Sequence, residues 1–201
     1  MNKIRERKHG ICRRVGYCLY NSPKCPSVKR AYSPGQQGKS RGRKLTDYGK
    51  QLLEKQKLKY TYGMREKQFR RFFKIASSKK GATGENLLVL LESRLDNIVY
   101  RLKFATNIFD ARQMVSHKHI LIDKKRTNIP SCIVQPNSKI SLTAEAKKFS
   151  RVQIAMESEE KEVPAYLKKE DNFSGVFLGI KEISEIPTKI ELSHIVELYS
   201  K

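Results

Sequence analysis

The chain has 201 residues, enough for one large domain or two small ones, and its 42 Lys and Arg against 20 Asp and Glu give a net charge of +22. Such an excess opposes compaction unless a polyanion neutralises it, so nucleic acid is the first candidate partner and a membrane surface the second. The longest aliphatic run, residues 87–91, is too short to span a membrane, and no apolar core of a secretion signal is present near the N-terminus.

The charge is distributed unevenly along the chain. Residues 1–80 contain 24 basic and four acidic residues, residues 81–151 contain 12 and six, and residues 152–201 contain six and ten. This gradient predicts a basic segment that faces nucleic acid, a moderately basic middle module, and an acidic C-terminal segment that faces something else, such as protein.

The first 44 residues lack a sustained apolar period and mix prolines and glycines with Lys and Arg. This composition predicts an irregular basic extension that orders fully on its partner. Thr46 or Asp47 is then the expected N-cap of a helix that ends at Tyr62 and Gly63.

A second amphipathic helix is predicted over residues 65–78. Phe69, Phe72, Phe73 and Ala76 share one face of it, and cations occupy most of the remaining surface. These cations are Arg65, Lys67, Arg70, Arg71 and Lys74. The helix is therefore expected to pack on its aromatic face and to present charge to a partner.

The middle of the chain has the clearest helical period. A loop ending at Gly84 is expected to hold Thr83 as a helix cap. Leu and Ile then recur at alternating steps of three and four from Leu88 to Leu102, which predicts one continuous helix. Thr106 is the expected cap of the shorter helix that follows.

Strand signals begin after this second helix. Ile120–Ile122 and Lys125–Thr127 are predicted strands joined by a turn at Asp123 and Lys124, and Ile140–Leu142 is a third.

Residues 152–201 carry weaker signals, which predict short strands or turns around a helix near Glu157. The apolar pair Ile195 and Val196 is among these predicted strands. Because Glu191 and Glu197 flank it, the pair suits either a protein interface or packing of the C-terminus onto the first helical domain.

The sequence contains no recognisable catalytic motif. Gly35, Gly38 and Gly42 are not followed by the Lys-Ser/Thr pair of a triphosphate loop, and no nucleophile elbow is present. His117 and His119 are two residues apart and cannot share a helix face, so they are predicted to end an RNA-contacting helix rather than to form a catalytic pair. We therefore expect a protein that is not an enzyme.

Four potential metal ligands, His9, Cys12, Cys18 and Cys25, lie within 17 residues. The first pair has the spacing of a zinc knuckle, whereas the second is loosely spaced, and Cys132 is expected to be a small core residue. Reduced thiols without metal are the expected state, and zinc stays open as the alternative.

Short basic arrays alternate with aromatic residues along the chain. The arrays are Arg13-Arg14, Lys29-Arg30, Arg41–Lys44, Arg70-Arg71 and Lys124–Arg126. Cations neutralise phosphates, and aromatic rings stack on unpaired bases or on guanidinium groups. Together with the net charge, this pattern predicts RNA binding.

Two runs in the middle module are specific enough to indicate a family. Thr83–Leu102 (TGENLLVLLESRLDNIVYRL) and Ala111–Ile122 (ARQMVSHKHILI) strongly resemble the family of bacterial-type small-subunit ribosomal protein four. PGQQG, LTDYGKQLLEKQK, YGMREKQFRRFF and the terminal IVELYSK are similar to the same family. The resemblance covers essentially the whole chain, and it is weakest over residues 150–190.

The resemblance implies an α+β fold, with a helical, basic N-terminal domain joined to an RNA-binding module of two helices on a small sheet. The expected domains are an irregular basic extension over 1–44, a helical rRNA-binding domain over 45–91 with which residues 185–201 pack, and the two-helix and small-sheet module with its extension over 92–184.

The resemblance also implies a structural constituent of the small ribosomal subunit. Such a protein binds the five-prime domain of small-subunit rRNA directly, nucleates assembly of the subunit body, and influences translational accuracy together with ribosomal protein five. Messenger RNA near the channel through which it enters the ribosome is a further candidate partner, and no membrane partner is expected. The expected location is a cytoplasmic ribosome, with an organellar ribosome left open.

Two other functions fit the same middle module. One is a stand-alone RNA-binding regulator, and the other is an accessory module of an RNA-modification enzyme. A catalytic domain of roughly 200 further residues would be needed for the second, and no sign of one is present. The basic N-terminal segment and the terminal motif disfavour the first.

The site residues follow from the basic arrays and from the matched motifs. In the N-terminal part, the predicted rRNA contacts are Arg13, Arg14, Arg41, Arg43, Lys44, Lys50, Lys67, Arg70 and Arg71. By resemblance, the contacts in the middle module are Arg94, Arg101, Arg112, Gln113, Ser116, His117, Lys118 and Arg126. No catalytic residue and no metal ligand is assigned.

Three positions depart from the family pattern. Members often carry a basic residue where Asn107 stands, so a phosphate contact is expected to be lost here. Lys124 replaces a turn glycine, which predicts a less strained or longer turn than an Asn-Gly hairpin. Zinc-binding members carry two Cys pairs, whereas His9 replaces the first Cys here and Cys18 does not align cleanly with the third.

Overall fold

A computed structural model describes residues 8–20, 22, 24–30, 32–39, 45–157, 163–180, 182–186 and 190–200. The chain divides into two compact units, one formed by Met1–Gly84 with Lys189–Lys201 and the other by Glu85–Thr188. Helices form the first unit, and the second adds an antiparallel sheet, so the predicted α+β class is confirmed. The units divide within the first helical turn after Thr83, whereas the sequence placed the division after Leu91.

The helices in chain order are α1 (Lys8–Val15), α2 (Pro26–Lys29), α3 (Asp47–Thr61), α4 (Glu66–Ser77), α5 (Thr83–Glu92), α6 (Leu95–Arg101), α7 (Ile108–Ser116), α8 (Ala144–Lys147), α9 (Ser150–Glu157) and α10 (Leu192–Ser200). The strands are β1 (Ile120–Ile122), β2 (Lys125–Thr127), β3 (Lys139–Leu142), β4 (Leu167–Asp171) and β5 (Ser174–Phe177). A 3-10 turn covers Ile183–Glu185.

In the first unit, local signals define α3 and α4 as predicted. The Thr46 hydroxyl accepts a hydrogen bond from the Gly49 amide at 3.2 Å and caps α3, which satisfies one of the free donors of the first turn. Helix α3 ends at Tyr62, followed by Gly63 in the left-handed conformation (φ 57°). Helix α10 packs on α3 and buries Ile195 completely.

The N-terminal extension is more ordered than its composition predicts. The sequence predicted an irregular segment over 1–44, but α1 and α2 are helical and bury Ile11, Cys12 and Cys25. Pro26 stands at the start of α2, where its restricted φ favours a helix and its missing N–H costs nothing. Helices this short contain too few apolar positions to show a period.

The second unit contains a five-stranded antiparallel sheet in the order β2-β1-β3-β5-β4. The three predicted strands of the middle module are confirmed. Helices α6 and α7 contribute a continuous set of buried apolar side chains to this unit. These include Leu95, Ile98, Val99, Leu102, Ala111, Met114 and Val115.

The predicted continuous helix over 88–102 is wrong, because the structure divides it into α5 and α6. Arg94 is extended (φ −72°, ψ 140°) and forms an isolated antiparallel bridge with Ile133. The Leu95 amide then donates to the Cys132 carbonyl at 2.8 Å, a partner from outside the helix. The apolar residues keep the helical spacing across Arg94, so the sequence pattern gives no sign that the helix is interrupted there.

Several local predictions also need correction. Asn107, not Thr106, caps α7, and its side-chain oxygen accepts hydrogen bonds from the Phe109 and Asp110 amides. Ile195 and Val196 lie on a helix rather than in a strand or turn. Cys132 is partly exposed rather than a core residue.

The turn between β1 and β2 is tighter than predicted. Ile122 pairs with Lys125, so Asp123 and Lys124 form a two-residue turn, and both have positive φ (47° and 68°). Positive φ at both central residues is typical of a type I′ turn, whose backbone twist matches that of the flanking strands. The prediction of a longer or less strained turn is wrong, because Lys124 adopts the left-handed conformation that glycine usually supplies.

Candidate nucleic-acid interface

In the first unit, α4 separates an apolar face from a cationic one. Phe69, Phe72 and Ala76 are buried, as predicted, and Phe73 is half-buried. The side chains on the opposite surface are exposed, and the Arg70 side chain retains 71% of its accessible area. These exposed cations are Arg65, Lys67, Arg70, Arg71 and Lys74. A rigid helix therefore presents a row of charges to solvent.

Glu66 anchors the base of α4. Its carboxylate accepts hydrogen bonds from Lys55 at 2.8 Å, from Lys59 at 3.0 Å and from the Tyr199 hydroxyl at 2.9 Å. Burial by itself raises the pKa of Glu66, but these hydrogen bonds outweigh it and lower the pKa to about 2. The network ties α3, α4 and α10 together and holds the cationic face of α4 in place.

The remaining predicted contacts of the first unit have different surroundings. Arg13 donates to the Tyr32 carbonyl at 3.1 Å, and its guanidinium lies 4.8 Å from the centre of the Tyr32 ring. Arg14 is exposed, and Lys50 is exposed beside Asp47 at 3.0 Å. The predicted contacts Arg41, Arg43 and Lys44 lie outside the described residues.

In the second unit, the C-terminal end of α7 gathers exposed polar groups. Gln113, Ser116, His117 and Lys118 are all exposed there, and Arg126 is exposed on β2. Lys118 has positive φ (62°), which ends the helix and leads directly into β1. Four of the eight residues assigned by resemblance therefore have exposed side chains in the last turn of α7 and the two residues that follow it.

His119 marks the inner edge of this polar region. Its ring packs edge-on against Phe149 at 4.9 Å and lies 6.1 Å from the His117 ring. Burial, followed by the neighbouring His117 and Arg151, lowers the pKa of His119. The pKa shift therefore comes first from burial, and the neighbouring cations add to it.

Two of the assigned arginines are placed differently. The Arg94 side chain is completely buried, with Nε 3.0 Å and Nη2 2.5 Å from the two Asp96 carboxylate oxygens. Arg101 is 17% exposed and its Nη2 lies 2.7 Å from Glu92 Oε1. Because these guanidinium groups face buried carboxylates, we do not include them in the proposed RNA-contacting surface.

Arg112 is more exposed than Arg94 and Arg101 but, like them, lies close to a buried carboxylate. Its Nη1 lies 3.3 Å from Asp96 Oδ2, while 28% of the side chain is exposed. Asp96 thus orients Arg112 at the margin of the α7 surface, where part of the guanidinium faces solvent.

Sequence reasoning missed Arg151 as a member of this surface. Its guanidinium lies 5.0 Å from the centre of the Phe149 ring and 3.1 Å from Asp110 Oδ1. It is one of the groups that lower the pKa of His119. Arg151 lies far from α7 in sequence and outside the basic arrays from which the site residues were chosen.

The potential metal ligands are partly brought together. One ligand atom each from His9, Cys12 and Cys25 lies within 4.8 Å of the others, and both cysteines are buried. Cys18 is outside this set, and its sulfur accepts a hydrogen bond from the Ser22 amide at 3.4 Å. Burial raises the pKa of Cys12 to about 12.

Across the described ranges, no helix combines the length and the apolar character needed to cross a bilayer.

Comparison with known proteins gives matches along the whole chain. Residues 3–92 match the family described as ribosomal protein S4/S9 N-terminal domain, and residues 93–140 match the S4 domain. The chain is 42% identical to small ribosomal subunit protein uS4 of Rhodospirillum centenum and 43% identical to that of Erythrobacter litoralis, covering 100% of each chain. It is 45% identical to that of Geobacillus sp. over 95% of both chains.

Proposed function

Because the chain belongs to the family of small ribosomal subunit protein uS4, we propose that it nucleates assembly of the subunit body by binding the five-prime domain of small-subunit rRNA. Membership confirms the predicted resemblance and makes the chain a structural, rRNA-binding component of a bacterial-type small subunit rather than an enzyme. The proposed setting is a cytoplasmic ribosome.

The observation that supports this proposal is the exposed cationic face of α4 together with the polar end of α7. Each surface stands on a helix whose opposite face is buried. The helix therefore sets the spacing of the polar and charged residues within that surface. Phosphate contacts supply affinity and register, and folded RNA is recognised largely by shape. Fixed rows of cations therefore suit a folded rRNA domain better than a single flexible tail would.

The test is filter binding of the full chain to a transcript of the five-prime domain at several salt concentrations. We expect the affinity to fall steeply, with a slope of the log–log plot near −0.7 to −0.9 for each neutralised phosphate. A transcript of an unrelated rRNA domain of equal length serves as the control. A nearly flat salt dependence, or equal affinity for both transcripts, would contradict the proposal.

We also propose that the C-terminal helix α10 faces protein, with ribosomal protein five as the partner in decoding accuracy. Glu191 and Glu197 support this, because their side chains are 72% and 56% exposed and a carboxylate surface repels phosphate. The sequence suggested an interface with Ile195 and Val196 at its apolar centre. Ile195 is buried within its own unit and is not available to a partner. The partner contact would therefore depend on the charged rim.

Crosslinking within assembled subunits tests this partner. Crosslinks from exposed positions of α10 to ribosomal protein five are expected, and reversing the charge of Glu191 and Glu197 together should change the frequency of decoding errors. Crosslinks to rRNA alone would contradict the proposal. Messenger RNA is proposed as a further partner near the entry channel, and crosslinks from the exposed cations of α4 and α7 in the same subunits would test it.

The His9, Cys12 and Cys25 cluster supports one proposal about a cofactor, namely that it binds zinc. Imidazole and thiolate are the usual zinc ligands, and structural sites use four, so Cys18 is the candidate for the fourth. The ion would link α1 to the start of α2. Elemental analysis of gently purified protein should find about one equivalent of zinc per chain. The zinc content should decrease in Cys12→Ser and stay unchanged in the control Cys132→Ser. A content below about 0.2 equivalents would show that the cysteines are reduced thiols without metal.

A further inference from the structure

The loop beyond α2 folds back on itself at Gly38. A Cβ at this position would overlap the Ser33 carbonyl oxygen, so only glycine fits there. The Gly38 amide also donates a hydrogen bond to the Gly35 carbonyl at 3.2 Å, and Gly35 has a positive φ of 117°, which glycine adopts without strain. Both glycines belong to the PGQQG motif, Pro34–Gly38, so this motif sets the path of the loop.

The start of this loop holds Arg13 of α1. The Arg13 Nε donates a hydrogen bond to the Tyr32 carbonyl at 3.1 Å, and its Nη2 donates to the Ser33 carbonyl at 3.3 Å. The guanidinium carbon lies 4.8 Å from the centre of the Tyr32 ring. The two carbonyls therefore fix the orientation of the guanidinium, and most of its N–H donors remain available to another group.

A second cation, Lys39, lies near the same ring. Its Nζ is 5.6 Å from the centre of the Tyr32 ring, which is within the range of a cation–π interaction. Lys39 is exposed and follows directly after the glycine that closes the loop. Among the residues that the structure describes, neither Arg13 nor Lys39 has an ion pair. The two positive charges around one ring are therefore not neutralised by a carboxylate of this part of the chain.

We propose that Arg13 and Lys39, held at the Tyr32 ring, bind phosphate groups of one RNA strand. This contact rests on rRNA binding as the proposed function and adds a site outside the α4 and α7 surfaces. The electron-rich face of a tyrosine attracts cations without neutralising them, whereas a carboxylate would cancel the charge that attracts a phosphate. Phosphate oxygens accept charge-assisted hydrogen bonds from both the guanidinium and the ammonium group, and their negative charge relieves the repulsion between the two cations.

A purely structural role for Arg13 is the competing explanation. Its two hydrogen bonds to loop carbonyls would then serve only to fasten the loop to α1. That role predicts no effect of Lys39 on RNA binding, because within the described ranges Lys39 donates no hydrogen bond to the loop or to α1. Replacing Lys39 therefore distinguishes the two explanations.

The experiment compares Lys39→Gln with the parent chain by filter binding to the five-prime-domain transcript at several salt concentrations. The variant should bind more weakly, with a log–log salt slope smaller in magnitude by about 1, and should keep the urea midpoint of the parent. Lys24→Gln is the matched control, because it removes another exposed lysine of the same N-terminal extension and should keep the parent slope. An equal decrease of the slope in both variants would assign the effect to net charge and refute a site at the ring.

Substitutions that preserve every charge test the positioning of the two cations. Tyr32→Phe keeps the ring and should keep the affinity, whereas Tyr32→Leu removes the aromatic face and should weaken binding. Gly38→Ala displaces the Ser33 carbonyl that holds Arg13, so it should also reduce the salt slope at an unchanged net charge. Unchanged binding by Gly38→Ala would refute the role of the loop.

The outcomes separate this contact from the proposed function. If the parent binds with a steep salt dependence while Lys39→Gln and Tyr32→Leu keep its affinity and slope, the phosphate contact is refuted and the proposed function stands. If the parent itself shows no salt-dependent binding, the proposed function fails as well.

Discussion

Arg94→Ala offers the sharpest test of how this fold uses its charges. The Arg94 side chain is 0% exposed and that of Asp96 1% exposed, and the guanidinium contacts both carboxylate oxygens. Removing one partner of a buried pair costs roughly 3–5 kcal/mol, because the other charge stays buried. Arg112, 3.3 Å from the same carboxylate, offsets part of that cost, so we expect about 3 kcal/mol.

This loss is a large fraction of the ~5–15 kcal/mol that stabilises a typical domain. With urea m-values of about 1–3 kcal/mol per molar, the midpoint of the second unit should fall by about 1–3 M. The chain has no tryptophan, so far-ultraviolet circular dichroism is the suitable probe of unfolding. rRNA affinity, measured where the variant is still folded, should remain near that of the parent.

Arg126→Ala is the matched control, because this arginine is exposed on β2. Its unfolding midpoint should stay within the error of the measurement, while its rRNA affinity should decrease. The opposite result for Arg94→Ala, an unchanged midpoint with a weaker and less salt-dependent rRNA affinity, would place its guanidinium on RNA and refute the reasoning.

Three further predictions concern local features. Phe72→Ala should destabilise the first unit by about 3–5 kcal/mol, whereas Arg70→Ala with Arg71→Ala should weaken rRNA binding and change the free energy of unfolding by less than about 0.5 kcal/mol in urea titrations. The pKa of Glu66 is about 2 in the folded protein against an ordinary 4.5, so its ionised carboxylate stabilises the fold fully above pH 4.5. That contribution to the free energy of unfolding is lost as the pH falls towards 2. Glu66→Gln should remove this part of the pH dependence of the urea midpoint. Asn107→Ala should cost about 1 kcal/mol through loss of the α7 cap, and an unchanged midpoint would show that the cap is dispensable.

Features that depend on neighbours in sequence were predictable. The Thr46 cap, the end of α3 at Tyr62 and Gly63, and the two faces of α4 all follow from local hydrogen-bonding capacity and apolar period. The same holds for β1 and β3, which contain short apolar runs, and for the charged strand β2, which was predicted as the return from the turn after β1. Net charge, its gradient and the family motifs indicated RNA as the partner.

Other features required the tertiary structure. The apolar period runs unbroken through Arg94, and only the bridge to Ile133 shows that the helix stops there. Asn107 and Thr106 are both good caps by type, and the choice between them depends on the entry angle of the chain into α7.

The sequence by itself determined that this chain is strongly cationic, that it has an α+β organisation and that its family binds rRNA. Only the tertiary structure decided which cations remain available to RNA. Arg94 and Arg101 look like Arg126 in the sequence, yet the first two face the buried carboxylates of Asp96 and Glu92. The physical reason is that a charge is neutralised or left exposed by groups close in space. Residues distant in sequence become neighbours only when the chain folds, as the Tyr166 hydroxyl does when it donates a hydrogen bond to the Glu92 carboxylate at 2.8 Å.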